Sequence, residues 1–364
     1  FAHSVENSSV PFVLPTLLLL LQNKSSSQTS IPPAAYKMSE SATGPSSGGN
    51  HTGFRYGLSP LEIAAASTVL GALWLVSIFG NSLICLVVHR SRKTQSTTNY
   101  FVVSMACADL LVSVTSAPFA LLQFTYGRWT LGNGLCKLGR YIQYLTPAVQ
   151  IHVFLSICVD RFYIIAYPLR FRAFRKQAKK MILASWLFDT IFASPVLFFY
   201  GSNSDDHCNF FLPNSWEGVV YTISQLLVEF VIPAILIIFF YQKIIKYIWR
   251  TGTNGTTVRR TMNIIRRTKV KTVKMFLTLS LDFLLAWLPF CVAQLWHPQE
   301  TGDRKSSLVF LAITCISFSA SASKPTLYFM YKASFRRGVK EFFCMSAMKC
   351  YTSNAHTITS SSRT

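Results

Sequence analysis

Seven apolar stretches, near residues 62–89, 99–125, 134–166, 180–200, 218–248, 270–296 and 307–331, dominate the chain, and polar residues collect between them. Each is long enough to cross a hydrocarbon core of about 30 Å, which takes about 20 residues of helix. None alternates like a barrel strand, and a chain in lipid must satisfy its own backbone, so helices are predicted. The expected fold class is an all-α membrane protein, a seven-transmembrane helix bundle. After the last span, Phe335, Val339, Phe342 and Phe343 share one face at helical spacing, opposite basic residues. This predicts a short amphipathic helix over 333–344, lying on the membrane surface. Cys344 and Cys350 beside it are candidates for palmitoylation, with two unmodified thiols as the alternative.

Residues 1–60 break this pattern: Ser, Thr, Pro and Gly dominate from Ser25 to Gly57, as in a disordered tail. Val10 to Leu21 is apolar but short and holds Pro11 and Pro15. It reads as a loose apolar patch, with a signal-peptide core lacking its basic start as the alternative. Sequons at Asn7, Asn23 and Asn50 mark the tail as extracellular and glycosylated. Residues 345–364 form the opposite, cytoplasmic tail. The chain starts at Phe1 and stops in a Ser/Thr-rich stretch, so completeness at both ends stays open.

Charge then sets the orientation. Only 13% of the 364 residues are charged, against about 25% in soluble proteins. The net charge of +21 sits in short loops between the apolar runs, so the partner it implies is a lipid bilayer and not a nucleic acid. Basic loops follow the first span (Arg90, Arg92, Lys93), the third (Arg170 to Lys180) and the fifth (Arg250 to Lys269). The loop from Gly201 to Glu217 holds Asp205, Asp206 and Glu217 with no Lys or Arg. Basic loops face the cytoplasm, which puts the amino end outside. A sequon-like Asn254-Gly255-Thr256 then lies inside and is expected to stay unmodified. The nine Cys form no CxxC pair and no metal-spaced Cys/His cluster, and there is no catalytic triad or phosphate-cradling Gly loop. No cofactor, metal site or enzyme activity is expected.

Five ionisable residues fall inside the spans: Asp109, Asp189, Glu229, Asp282 and Lys324. Each costs about 2.5–3.5 kcal/mol at mid-membrane unless it has a partner or a task. At 1.5 Å per residue, Asn81, Asp109, Asp282 and Lys324 all lie about 12–15 Å from the inner ends of their helices. A Lys paired with one or two Asp in that layer would remove most of the cost. The alternative is Asp282 facing lipid in its neutral form.

Several residues, taken in order, resemble the rhodopsin-like (class A) G-protein coupled receptors from Leu61 to Cys344. They are Gly80-Asn81 in helix one, Ala106 to Leu110 around Asp109 in helix two, and Asp160-Arg161-Phe162 at the end of helix three. Trp186 in helix four, Pro233 and Tyr241 in helix five, Phe283, Trp287 and Pro289 in helix six, and Pro325 with Tyr328 in helix seven continue it. Any one match is an ordinary packing residue; the ordered set is specific. The resemblance implies a seven-transmembrane receptor domain over 61–332 that binds an extracellular ligand and activates a heterotrimeric G protein from the plasma membrane. Arrestin and receptor kinases are further implied partners. A transporter, a channel or a non-coupling receptor-like scaffold are the alternatives.

The resemblance also assigns roles. Cys136 and Cys208 would form a disulfide over the bundle mouth. Ile151, Pro233 and Phe283 would repack as helix six swings about Pro289, and Arg161, paired with Asp160 at rest, would meet the G protein. Phe119, Gln143, Tyr144, Gln225, Glu229, Trp287, Phe290, Gln294 and Thr314 would line the ligand pocket. Gln143 stands where amine receptors carry Asp, while Pro118 and the acidic 201–217 loop look more like peptide receptors, so a peptide with a basic residue is the expected ligand. Pro147, one turn below Gln143, is unusual. Lys324 stands where the family has Asn or Asp, and Gln150 where it often has Ser. The Lys324 ammonium is therefore expected to replace the family's sodium ion and to pair with Asp109. Helix six begins Lys269-Val270-Lys271, without the acid that would lock Arg161, so signalling without ligand is expected.

Overall fold

A computed structural model describes residues 59–90, 97–126, 129–167, 171–200, 208, 215–253, 259–296 and 304–344. Seven of its helices are long and apolar enough to cross a membrane. They are α1 (Pro60–Arg90), α2 (Thr97–Tyr126), α3 (Gly132–Ala166), α4 (Phe171–Phe192), α5, α6 (Arg259–Trp296) and α7 (Arg304–Tyr331). α5 runs as Trp216–Leu226, a π-helical turn at Leu227–Val231, and Ile232–Thr253. The apolar spans agree with the sequence reading to within about three residues, inside the usual boundary uncertainty. A last helix covers 333–344.

Local chemistry sets the helix starts. Ser59 and Glu62 form a capping box at α1: Glu62 N–H donates to Ser59 Oγ at 3.3 Å, and Ser59 N–H donates to Glu62 Oε2 at 2.9 Å. Ser215 caps α5, its Oγ accepting from Gly218 N–H at 3.1 Å. The π turn in α5 ends just before Pro233, which cannot donate a backbone hydrogen bond, and Ile232 N–H reaches back to Leu227 O instead.

Two basic stretches that the sequence reading placed in loops are helical. α6 starts at Arg259 rather than near 270, and α4 starts at Phe171 rather than near 180. Arg, Lys and Met are good helix formers, and 259–269 and 171–180 contain neither Gly nor Pro. Leaving lipid ends an apolar run without ending a helix.

α3 is the central column. It packs on α2, α4, α5 and α6, while α1 packs on both α2 and α7 and closes the ring. Its buried side chains run its whole length, from Cys136 to Ile164. The outer helices bury one side and expose large apolar groups on the other, such as Leu187 and Ile191 of α4 and Leu285 and Val292 of α6. Those faces suit lipid. Gly80 lets α1 meet α7 closely: a Cβ there would lie 2.6 Å from the Pro325 ring. The 333–344 helix returns against the bundle, with the Phe335 ring 4.9 Å from that of Tyr328 and Gly338 against Val87.

Candidate functional site

At one end of the bundle, a disulfide joins Cys136, in the first turn of α3, to Cys208. Cys208 is held a second time through its carbonyl, which accepts from Gln123 Nε2 and Arg140 Nη2, each at 3.1 Å. Arg140 also donates to Gln123 Oε1 at 3.2 Å and to Gln143 Oε1 at 2.6 Å. Phe119, Gln143 and Thr314 line a cavity beside this clamp, together with Arg140.

A second, narrow cavity collects Tyr144, Gln225, Glu229, Trp287, Phe290 and Gln294. The nine residues expected in one pocket are thus shared between two neighbouring cavities. Bulky residues of α3 explain the division: the Tyr144 hydroxyl bonds that of Tyr200 at 3.0 Å, and its ring packs edge-on to Phe290. Glu229 is buried on the π turn of α5. Gln225 Nε2 donates to Glu229 Oε2 at 2.9 Å, while Glu229 Oε1 and Gln225 Oε1 have no hydrogen-bond partner. Pro147 also lines this cavity, and α3 stays α-helical through it.

In the wall of that cavity, Phe290, Trp287 and Phe283 form an aromatic column, with successive centroids 5.5 and 6.1 Å apart. Phe283 then meets Phe154 at 5.5 Å and carries the Lys324 ammonium 5.5 Å over its ring. Ile151 and Pro233 are buried nearby in the bundle interior.

The column ends on a polar layer. Lys324 Nζ donates to Asp109 Oδ1 at 2.8 Å and also bonds Gln150 Oε1. Gln150 Nε2 donates to the same Asp109 oxygen at 2.8 Å, so the three side chains close a triangle across α2, α3 and α7. Asn81 Nδ2 donates to the backbone oxygens of Ser77 and Ser321, at 2.9 and 3.1 Å. Asp282 is half-buried and accepts from Ser323, so Lys324 pairs with one carboxylate and not two.

Asp189 has a partner that the sequence reading did not name. Its Oδ1 lies 2.9 Å from His152 Nδ1 on α3. Arg140 was missed as well. Its signal was a charged residue about two turns into the apolar run 134–166.

At the far end of α3, Arg161 is buried. Its Nη2 reaches Asp160 Oδ2 at 2.6 Å and Thr97 Oγ1 at 2.8 Å, and its guanidinium lies 5.9 Å over the Phe276 ring. Phe162 packs on Phe240, while Tyr241 and Tyr328 are buried. Lys332, just past α7, donates to Thr272 on α6 at 3.3 Å. Burial, with the nearby charges of Arg161 and Lys271, pulls its ammonium down to about 8. No Asp or Glu occurs between Arg250 and Leu281. Cys344 ends the 333–344 helix as an exposed thiol. Asn7, Asn23, Asn50 and Cys350 lie outside the described residues.

Comparison with known proteins fits this geometry. Residues 80–328 match the 7 transmembrane receptor (rhodopsin family) model. The chain is 66% identical over 363 residues to “Probable G-protein coupled receptor 19” of Homo sapiens, covering 100% of this chain and 88% of that protein. It is 28% identical over 279 residues to the RYamide receptor of Drosophila melanogaster, covering 73% of this chain and 60% of that one. It is 27% identical over 323 residues to the QRFP-like peptide receptor of Branchiostoma floridae, covering 81% and 83%. With seven helices long and apolar enough to cross a membrane, an aromatic column in the wall of a cavity and a buried Arg161 at the other end, the chain belongs to the rhodopsin family of seven-transmembrane receptors.

Proposed function

We propose that this multi-pass receptor lies in the plasma membrane with its amino end outside, takes an extracellular peptide into the cavities at the Cys136 end, and activates heterotrimeric G proteins at the Arg161 end. The observation that carries this reading is the pair of unlike ends joined through α3. One end holds a cavity with a buried carboxylate, and the other holds a guanidinium whose hydrogen bonds among the described residues go to α2 and α3, while α6 meets it with the Phe276 ring alone. Two relatives are named as receptors for RYamide and for a QRFP-like peptide, which supports a peptide ligand. Glu229 has no ion pair among the described residues, which supports a basic group on that peptide.

The clasp on Arg161 is weak. Asp160 is its neighbour in sequence and moves with it, and α6 offers no acid to hold the end shut. This receptor therefore signals without ligand. The Lys324 ammonium, bonded to Asp109 and Gln150, supports its standing in for a sodium ion. The tail sequons Asn7, Asn23 and Asn50 carry sugar outside, Cys344 and Cys350 carry acyl chains inside, and the carboxyl-terminal tail meets receptor kinases and arrestin.

Nucleotide exchange on purified G proteins, with the full chain in lipid nanodiscs and no ligand, tests this. The native chain raises exchange above empty discs on at least one G-protein class, and Arg161→Ala returns it to background. Exchange at background for the native chain on every class, with or without peptide, overturns the proposal.

A further inference from the structure

Glu229 and Gln225 sit four residues apart on α5, and positions at that spacing face the same way, with Cβ atoms about 5–6 Å apart. Both side chains are more than nine-tenths buried, at 7% and 5% exposure, and both line the narrow cavity. Their mutual hydrogen bond uses one of the two N–H bonds of the Gln225 amide, the donating group of the pair when Glu229 is ionised. Two oxygens of the pair, Glu229 Oε1 and Gln225 Oε1, meet no donor. While Glu229 is ionised, turning the amide does not relieve this, because the amide oxygen would then face the carboxylate. Two orphaned acceptors in a buried place cost free energy unless a donor arrives. No cation among the described residues pairs with Glu229, so the donor that these oxygens await is not one of them.

The walls of the cavity narrow the chemistry. Apart from these two residues and Gln294, they are almost entirely apolar, with the rings of Tyr144, Phe230, Phe283, Trp287 and Phe290. A cation on such walls is held by ring faces as well as by hydrogen bonds. An ammonium is strongly hydrated and acts as a point charge, so it loses much water on entry and is centred on one acceptor. A guanidinium is flat, weakly hydrated and offers five N–H groups in a fixed fork. Its fork can serve two acceptor oxygens at once, one charged and one neutral, while its faces lie against aromatic rings.

We infer that the Glu229–Gln225 pair is the seat of a guanidinium, so the group that enters this cavity is an arginine side chain and not a lysine or a simple amine. The inference deepens the peptide reading above by naming the side chain and its two acceptors. Glu229 supplies the charge, and Gln225 supplies the preference for arginine over lysine. A neutral Glu229 serving only the packing of α5 is the competing account.

The test uses the full chain in lipid nanodiscs with three small probes: N-acetyl-arginine amide, N-acetyl-lysine amide, and N-acetyl-citrulline amide, which has the arginine shape without its charge. The arginine probe at saturating concentration raises the thermal midpoint by about 2 °C or more. The lysine probe needs roughly ten-fold more for the same shift, and the citrulline probe gives none. Glu229→Gln abolishes the response to arginine while folding normally. Gln225→Met keeps a response but brings the arginine and lysine probes to within about two-fold of each other. Equal shifts from arginine and citrulline, no shift from any probe, or an unchanged arginine response in Glu229→Gln would each overturn the seat. Random octapeptides separate this inference from the peptide reading. Octapeptides that drive nucleotide exchange equally in native chain and Glu229→Gln sink the seat and leave a peptide receptor. Arginine-probe binding lost in Glu229→Gln, with no octapeptide driving exchange, upholds the seat and counts against the peptide.

Discussion

A lysine ammonium in the middle of a span is tolerated only where something compensates its lost water. Lys324 meets Asp109 and Gln150, and the triangle ties three helices together. Breaking such a pair from one side leaves a buried charge alone, which costs about 3–5 kcal/mol. Lys324→Met is expected to lower the stability of the folded chain by about that much, and adding Asp109→Asn is expected to recover most of it, read by unfolding in lipid. Lys324→Asn, which leaves room beside Asp109, is expected to gain a sodium-dependent rise in thermal midpoint that the native chain lacks. An equal sodium response in both chains counts against the stand-in role. This pair was legible in the sequence because depth along a helix can be counted, and both residues fall in one layer. His152 with Asp189 was not legible. Which way a half-polar imidazole turns depends on how α3 and α4 pack, and that is a tertiary fact.

Helices were the most legible scale. Lipid forces each span to be a long apolar run, so their number and approximate ends follow from hydropathy alone. The continuation of α6 from about 270 back to Arg259 was hidden, because a helix outside lipid carries no hydropathy signal. The π turn in α5 was hidden too, although Pro233 was its visible cause. That turn presents Glu229 to the cavity. Close contact between α1 and α7 depends on one glycine. A methyl group at Gly80 would fall 2.6 Å from Pro325, whose ring cannot bend away. Gly80→Ala is expected to force the two helices apart and to cost about 1–3 kcal/mol, measured as a drop in unfolding free energy in lipid. No loss of stability there would mean that α1 sits farther from α7 than described.

Across the whole molecule, the two ends are joined by packed side chains rather than by a single contact. Phe290, Trp287 and Phe283 descend from the cavity to Lys324, and α3 runs beside them from Cys136 to Arg161. Such a column can carry a signal only if one of its elements has two positions. The candidate element is α6, with Pro289 in its upper half, Thr272 touching Lys332 near its other end, and no acid to hold Arg161. The clustering of cations at that end was plain in the sequence. The sharing of the pocket between two cavities was not, because side chains such as Tyr144 divide the space only once the helices are packed.

The Arg161 end is expected to open by an outward swing of α6. Spin labels at Lys271→Cys on α6 and Arg90→Cys on α1, with the exposed Cys107 and Cys344 replaced by Ser, measure it directly in nanodiscs. On adding nucleotide-free G protein, the distance between the labels is expected to lengthen by about 5 Å or more, roughly one helical turn. A distance distribution unchanged by bound G protein would contradict the account.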